Sequence, residues 1–174
     1  MELEKNGVRI RNAEKKDAAL LAAWWNDGAV MAHAGFPLGL GTSPEAVAAQ
    51  LESDTDDTRR RLILESDGRP VGEMSYRILE NGDAEIGIKI CEAADQERGL
   101  GRAALRLLIR ALLDRGCGRI VLDTNLNNTR AQHVYELLGF RKTGVRYDSW
   151  RDQLGKMQSA VDYELTESAF RESD

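Results

Sequence analysis

The stretch Ala84-Glu85-Ile86-Gly87-Ile88-Lys89-Ile90, then Gln96-Glu97-Arg98-Gly99-Leu100-Gly101, then an apolar run over residues 103–113 decides the fold. Alternation in the first segment predicts a strand, and the 3.6-residue apolar period of the last predicts a helix. A strand that ends in a glycine-containing turn and enters a helix presents unpaired backbone N–H groups. The helix dipole adds partial positive charge where they converge. Gly99 and Gly101 carry no Cβ, so the backbone there can come close to a ligand. The turn reads as a site for pyrophosphate. The bland alternative, that the glycines serve strand-to-helix packing, is weighed by the surroundings.

Outward from that turn, the chain of 174 residues fits one domain, 1–174, long enough to bury a core without staples. A net charge of −5 gives no pull toward nucleic acid. Asp54-Thr55-Asp56-Asp57 and Arg59-Arg60-Arg61 read as a solvated loop entering a strand. No apolar segment follows a basic one at the N-terminus, and nowhere do eighteen apolar residues run together, so a cytoplasmic location away from membranes is expected. Cys91 and Cys117 lack CxxC spacing and a neighbouring His or Cys cluster, so buried thiols are expected, with no metal.

Val8-Arg9-Ile10-Arg11 alternates as a strand, and an apolar helical pattern from Asp17 runs through Leu20, Leu21, Trp24 and Trp25. Glycines and prolines interrupt residues 28–42, a long connection of the kind that borders binding sites, before Ser43 and Pro44 open a second helix. Residues 61–65 and 71–79 form a hairpin about Asp67-Gly68, and Asn81-Gly82 turns into the strand over 84–91. Gly116 and Gly118 stop the apolar helix, Ile120-Val121-Leu122 is a short buried strand, and Asn128 caps a helix to about Leu138. Gly139-Phe140 turns into a further strand, and residues 157–165 close the sheet. The order β-α-α-β-β-β-α-β-α-β-β predicts an α/β (α+β), three-layer domain, with a mixed, mostly antiparallel sheet of about seven strands flanked by helices.

This order, with Gln96-x-x-Gly99-x-Gly101 and Asn128-x-x-Ala131-x-x-x-Tyr135-x-x-x-Gly139-Phe140, resembles the GCN5-related N-acetyltransferase (GNAT) superfamily over nearly the whole chain. Leu20 to Asp27 and the glycine-rich connection look most like the ribosomal-protein, polyamine and aminoglycoside acetyltransferase branches. The resemblance implies acetyl-CoA as donor, no metal, a primary amine as acceptor (a polyamine, an aminoglycoside-like small amine or a protein N-terminus) and transfer by direct attack in a ternary complex. It leaves room for a homodimer. The pyrophosphate would meet the backbone amides of Arg98, Gly99, Leu100, Gly101, Arg102 and Ala103, with Gln96 opening the motif. The Arg98 and Arg102 side chains either add charge at the rim or belong to a solvated helix start. The resemblance further implies that free backbone groups near Ile88 and Ile90 pair with pantetheine like an added strand.

Asn128 is a helix cap, a contact to the CoA chain, or both. Tyr135 lies seven residues on, along the same helix face, and its plain alternative is a core tyrosine. By resemblance its hydroxyl protonates the leaving thiolate, which a phenol can do because its reference pKa lies above that of a thiol. Glu85 matches the general base of several branches. It could equally be a strand carboxylate facing Lys or Arg, and Glu73 on the neighbouring strand is a second candidate. A ping-pong route through Cys91 is disfavoured, since no histidine lies near it in sequence. His33 reads as a surface residue or a substrate contact on the acceptor side, His133 as a surface residue, and Trp24, Trp25 and Trp150 as core residues or walls of an acceptor pocket.

The rival reading is a non-catalytic acyl-CoA-binding or sensing module on the same fold. A nucleotide-phosphate enzyme ranks last, because the chain lacks GxxxxGK[ST] and GxGxxG spacing. Residues 28–42 and 147–158 should shape the acceptor pocket. Asp27, Asp148 and Asp152 there favour a cationic acceptor such as a polyamine or aminoglycoside.

Overall fold

The structure is a computed structural model that describes residues 1–173. Eight strands form one sheet in the order β1-β2-β3-β4-β5-β6-β8-β7. They are β1 (Glu2–Lys5), β2 (Val8–Asn12), β3 (Arg59–Ser66), β4 (Arg69–Ile78), β5 (Ala84–Ile90), β6 (Arg119–Asn125), β7 (Arg141–Arg151) and β8 (Met157–Thr166). The helices are α1 (Ala18–Trp25), α2 (Gly28–Met31), α3 (Pro44–Glu52), α4 (Leu100–Asp114) and α5 (Thr129–Leu137).

Every neighbouring pair is antiparallel except β5 and β6, as the expected mixed sheet requires. The eighth strand is β1, which the sequence reading leaves out. Asn6 and Gly7 take φ of 52° and 79°, the left-handed pair of a two-residue hairpin turn, so Leu3 meets Ile10 across it. The Asn-Gly dipeptide was the available signal.

Two apolar layers sandwich the sheet. On one face α4 buries Ala104, Leu105, Leu108, Ile109, Leu112 and Leu113 against strand residues such as Leu62, Leu64, Met74, Ile86 and Leu122. Each fully buried Leu or Ile contributes about 1.5–3 kcal/mol relative to exposure, so α4 is held firmly enough to present its first turn as a fixed platform. Its far end closes in a Schellman motif: Gly116, at φ 93°, donates to Leu113 O, and Cys117 donates to Leu112 O. On the opposite face, α1 and α3 bury Leu21, Trp24, Trp25, Val47 and Leu51 with Ile63 and Cys91.

The connection over residues 28–42 is folded tightly rather than open. A Cβ on Gly28 would lie 2.0 Å from Pro37 O, and Asn26 ties back to both backbone groups of Thr42. The β7–β8 hairpin docks on it, with Gln153 bonded to Leu38 N, Gly39 O and Gly35 O and the Trp150 ring packed against Gly35.

Candidate active site

The parallel pairing of β5 with β6 runs only through Ala84↔Ile120 and Glu85↔Val121. Beyond that point β5 keeps its antiparallel partner β4 and β6 keeps β8, so the two strands diverge toward their C-terminal ends. Such a gap at strand C-termini is where open α/β sheets take ligands. Cys91 N donates to Val71 O on the β4 side. Because an extended strand directs successive residues to alternate edges, Ile88 and Ile90 turn their backbone groups toward the gap.

The gap leads straight to the loop before α4. The backbone amides of Glu97, Arg98, Gly99, Leu100 and Gly101 meet no backbone or side-chain acceptor among the described residues, and Gly99 caps α4 with φ of 77° and no side chain. The expected Ala103 amide is not among them, because it donates to Gly99 O at 3.1 Å as the first bond of the helix. A Cβ at Gly99 would touch nothing within 4 Å, and one at Gly101 only the Ile88 and Ile90 side chains, at 3.9 and 4.0 Å. Protein packing therefore does not demand glycine at 101, and the missing Cβ leaves the backbone open to close approach. The fit to a pyrophosphate followed by an extended amide-bearing arm is thus physical: donors at the helix end, strand-edge groups along the gap.

The loop is braced from beneath. Gln96 Nε2 donates to Ile90 O at 3.1 Å, so this side chain fastens the turn to the end of β5. Arg98 reaches back to Asp95 at 3.1 Å, and Arg69 meets the same buried carboxylate at 2.9 Å. Arg98 therefore steadies the turn through its side chain and offers a ligand its amide. Glu97, at φ 60°, pairs with Arg130 of α5 at 3.4 Å, joining the two elements across the mouth of the gap. Asn128 caps α5 by accepting from Ala131 N at 3.3 Å, so the capping role is realised.

Tyr135 sits on α5 between Phe140 and Tyr163, with ring centroids 5.7 and 5.8 Å away. Its residue is 6 % exposed, and its hydroxyl bonds to no group among the described residues. Burial, reinforced by the charge of Asp123, pushes the phenol up to about 12, so it carries its proton throughout the physiological range.

Strand register explains the other side of the gap. Arg59, Arg77 and Glu85 form one row across β3, β4 and β5, while Arg61, Ser75 and Gly87 form the next. Asp123, two residues beyond Val121 on β6, lines the same cavity as Gly87. These side chains share the face away from α4, where Gly87 leaves a hollow. A cavity of about 310 Å³ fills it, lined by both rows and Asp123. Glu85 thus lies at the apex of the divergence, salt-bridged to Arg77 at 3.0 Å, as the strand-carboxylate alternative expects. Glu73 is 8 % exposed and deeper, both oxygens accepting from Trp25 Nε1 at 2.9 Å with Lys89 Nζ at 3.2 Å. Trp24 Nε1 likewise donates to Glu92. Both tryptophans are core residues with a satisfied indole. Asp123, Arg59 and Ser75 escape sequence reading, because only the register brings three distant segments into one hollow.

Other expectations sort themselves by contact. Burial, then the charge of Glu73, pushes the Cys91 thiol up to about 12, which leaves no appreciable thiolate at neutral pH. His33 and His133 are exposed. Asp27 accepts from Ala29 N, and Asp152 accepts from Leu154 N, Lys156 N and Gln158 Nε2, so two of the three acids near the acceptor side are engaged in local structure. Among the described residues, no helix is long and apolar enough to cross a membrane.

A strand gap thus feeds an amide-rich helix start, with Glu85 at the point where the strands part. The comparisons agree. The model of the acetyltransferase (GNAT) family matches residues 36–140, more than half of the chain, and the chain belongs to that family. It is similar to a mycothiol acetyltransferase of Cellulomonas flavigena, 32 % identical over 94 residues, which cover 48 % of this chain and 27 % of that protein. The match thus spans only about a quarter of the length of that curated relative. The fold is similar to that of the ribosomal L7/L12 α-N-protein acetyltransferase solved with coenzyme A, with a TM-score of 0.85 and 16 % identity over 97 % of this chain and 99 % of that one. It is also similar to the spermidine N-acetyltransferase of Vibrio cholerae solved with CoA and spermine, with a TM-score of 0.84 and 19 % identity over 95 % and 98 % of the two chains.

Proposed function

We propose that this chain, acting as one domain, transfers the acetyl group of acetyl-CoA to a primary amine in a ternary complex. The observation that carries the reading is the divergence of β5 from β6 after Glu85↔Val121, which runs from a charged hollow to the unpaired amides of residues 97–101. In this reading those amides bind the pyrophosphate, and Ile88 and Ile90 pair with the pantetheine amides. The N–H of Ile88 polarises the thioester carbonyl. Asn128 positions α5, and Tyr135 protonates the departing thiolate.

The amine enters from the hollow over Gly87, on the face opposite α4. An alkylammonium must lose a proton before it attacks, and Glu85, which lines that hollow, is the group placed to take it. Glu73 holds Trp25 and Lys89 instead. The matching family and the solved neighbours with CoA support the donor assignment. The reading places the protein in the cytoplasm without a nucleic-acid partner, in keeping with its net charge of −5, and leaves room for a homodimer, which sedimentation velocity checks.

Thiol release from acetyl-CoA with a panel of polyamines, aminoglycosides, amino acids and peptides tests the activity. Release that depends on one class supports transfer. CoA binding without release on any amine makes the protein an acyl-CoA-binding module. Glu85→Gln should lower kcat by about 10²-fold or more. A Glu73→Gln variant with the same kinetic loss and unchanged stability would move the base to Glu73.

A further inference from the structure

The hollow over Gly87 carries a charge arrangement that the transfer chemistry alone does not require. Arginines occupy the β3 and β4 side, and carboxylates occupy the β5 and β6 side, where the strands part. Most of these charges are already matched. Arg61 is held by Asp54 at 2.8 Å and by Gln50 O, Arg77 by Glu85 at 3.0 Å, and Asp123 by Arg146 at 2.8 Å. Arg59 is the exception. Its guanidinium has no ion pair and no hydrogen bond among the described residues, although it lines the same hollow. Its backbone is fixed, since Arg59 O accepts from Thr55 N at 2.9 Å.

We infer that the acceptor is an amino acid or a similarly small aminocarboxylate, whose carboxylate is read by Arg59 while its amine lies beside Glu85. This rests on the transferase reading above. A guanidinium offers a planar fork that matches a carboxylate with two parallel hydrogen bonds, and an anion is what an unmatched arginine in a cavity selects. Adjacent strands lie about 4.8 Å apart, so the β3 edge and the apex at β5 are separated by roughly 10 Å. The arginine arm covers much of that span, and a short carbon skeleton covers the rest. A cavity of about 310 Å³ admits a molecule of that size. The polarity also sets orientation: the acceptor's positive end faces Glu85 and Asp123, next to the gap where the thioester lies, and its negative end faces away from the reacting carbon. A polyamine would place a second cation against Arg59 and Arg77.

The test compares acceptors that differ only in the carboxylate: lysine with cadaverine, ornithine with putrescine, and phenylalanine with phenethylamine. Thiol release is measured for the wild type, Arg59→Ala and Arg59→Lys. The expected result is a kcat/KM about 10- to 100-fold higher for the carboxylated member of at least one pair, the size expected of a hydrogen bond between charged groups. Arg59→Ala should bring that ratio to within about twofold of one, and Arg59→Lys should keep part of it. The side chain makes no internal bond, so neither change should disturb folding. Equal or faster turnover of the decarboxylated amines overturns the inference and leaves the transferase reading standing, as does a ratio that survives Arg59→Ala. Absence of thiol release with every amine overturns both.

Discussion

Tyr135 and Tyr163 meet edge to face, with ring centroids 5.8 Å apart and planes at 61°, yet only one of the two hydroxyls is engaged. Tyr163 donates to Glu136 at 3.0 Å, whereas the Tyr135 hydroxyl bonds to no group among the described residues. The pair separates a tyrosine bonded into the fold from one whose hydroxyl the fold does not use. A hydroxyl that contributes no bond to the fold can be removed at little cost to the fold.

Tyr135→Phe should therefore lower kcat by about 10²-fold or more while stability moves by no more than about 0.5 kcal/mol. Acetyl-CoA affinity should stay within about twofold, because a proton donor to the leaving thiolate acts in the transition state rather than in binding. Steady-state kinetics, CoA titration and urea denaturation together check this. An intact kcat removes the acid assignment. With the phenol pushed up to about 12, the wild-type pH–rate profile should show no alkaline fall from this group below about pH 10.

Gly101→Ala separates packing from ligand approach. An added methyl meets only ordinary contacts with Ile88 and Ile90, and alanine is the better helix former by about 1 kcal/mol. The variant should melt at the same or a slightly higher temperature while its CoA affinity falls about tenfold or more. Calorimetry and CoA titration on one sample read both quantities, and unchanged affinity would detach this turn from the cofactor.

Cys91 should be inert. With its thiol pushed up to about 12, only roughly one molecule in 10⁵ carries a thiolate at pH 7. Iodoacetamide at pH 8 should leave Cys91 unmodified in the native protein and label it in urea, as read by mass spectrometry. Cys91→Ala should retain transfer, and loss of turnover with normal folding would reopen an acetyl-cysteine route.

Acid stability should depend on Asp17. Burial raises its pKa, but hydrogen bonds from Arg11 at 2.8 and 2.9 Å and from Glu14 N at 2.8 Å outweigh burial and leave it lowered. A lowered folded pKa stabilises the protein above the unfolded value, near about 3.9, and that stabilisation is lost as pH falls through the folded value. Asp17→Asn should therefore cost about 2–3 kcal/mol at pH 7, with the gap to wild type closing below about pH 4. Urea titrations at pH 7 and pH 3 read this difference. An equal gap at both pH values would show that packing, not ionisation, sets it.

Much of this molecule is legible without coordinates. The glycine turn after residues 84–90, the period of α4 and the Asn128 cap each rest on short-range rules, and each element appears where those rules place it. The Asn6-Gly7 hairpin obeys the same rules. Pairing and partnership were not legible. Whether Arg98 faces a ligand or Asp95, whether Glu73 is free or bound to Trp25, and which residues surround Gly87 depend on contacts between segments tens of residues apart.

The chain by itself determined the order of elements, the loop that enters α4, and the identities of Tyr135, Asn128 and Glu85, because backbone propensity and motif spacing are local properties. The tertiary structure alone decided the width of the gap between β5 and β6, which acids are engaged, and the row that sets Arg59 beside Arg77 and Glu85. Those are properties of register, and register is fixed by which faces of distant strands bury their apolar side chains together.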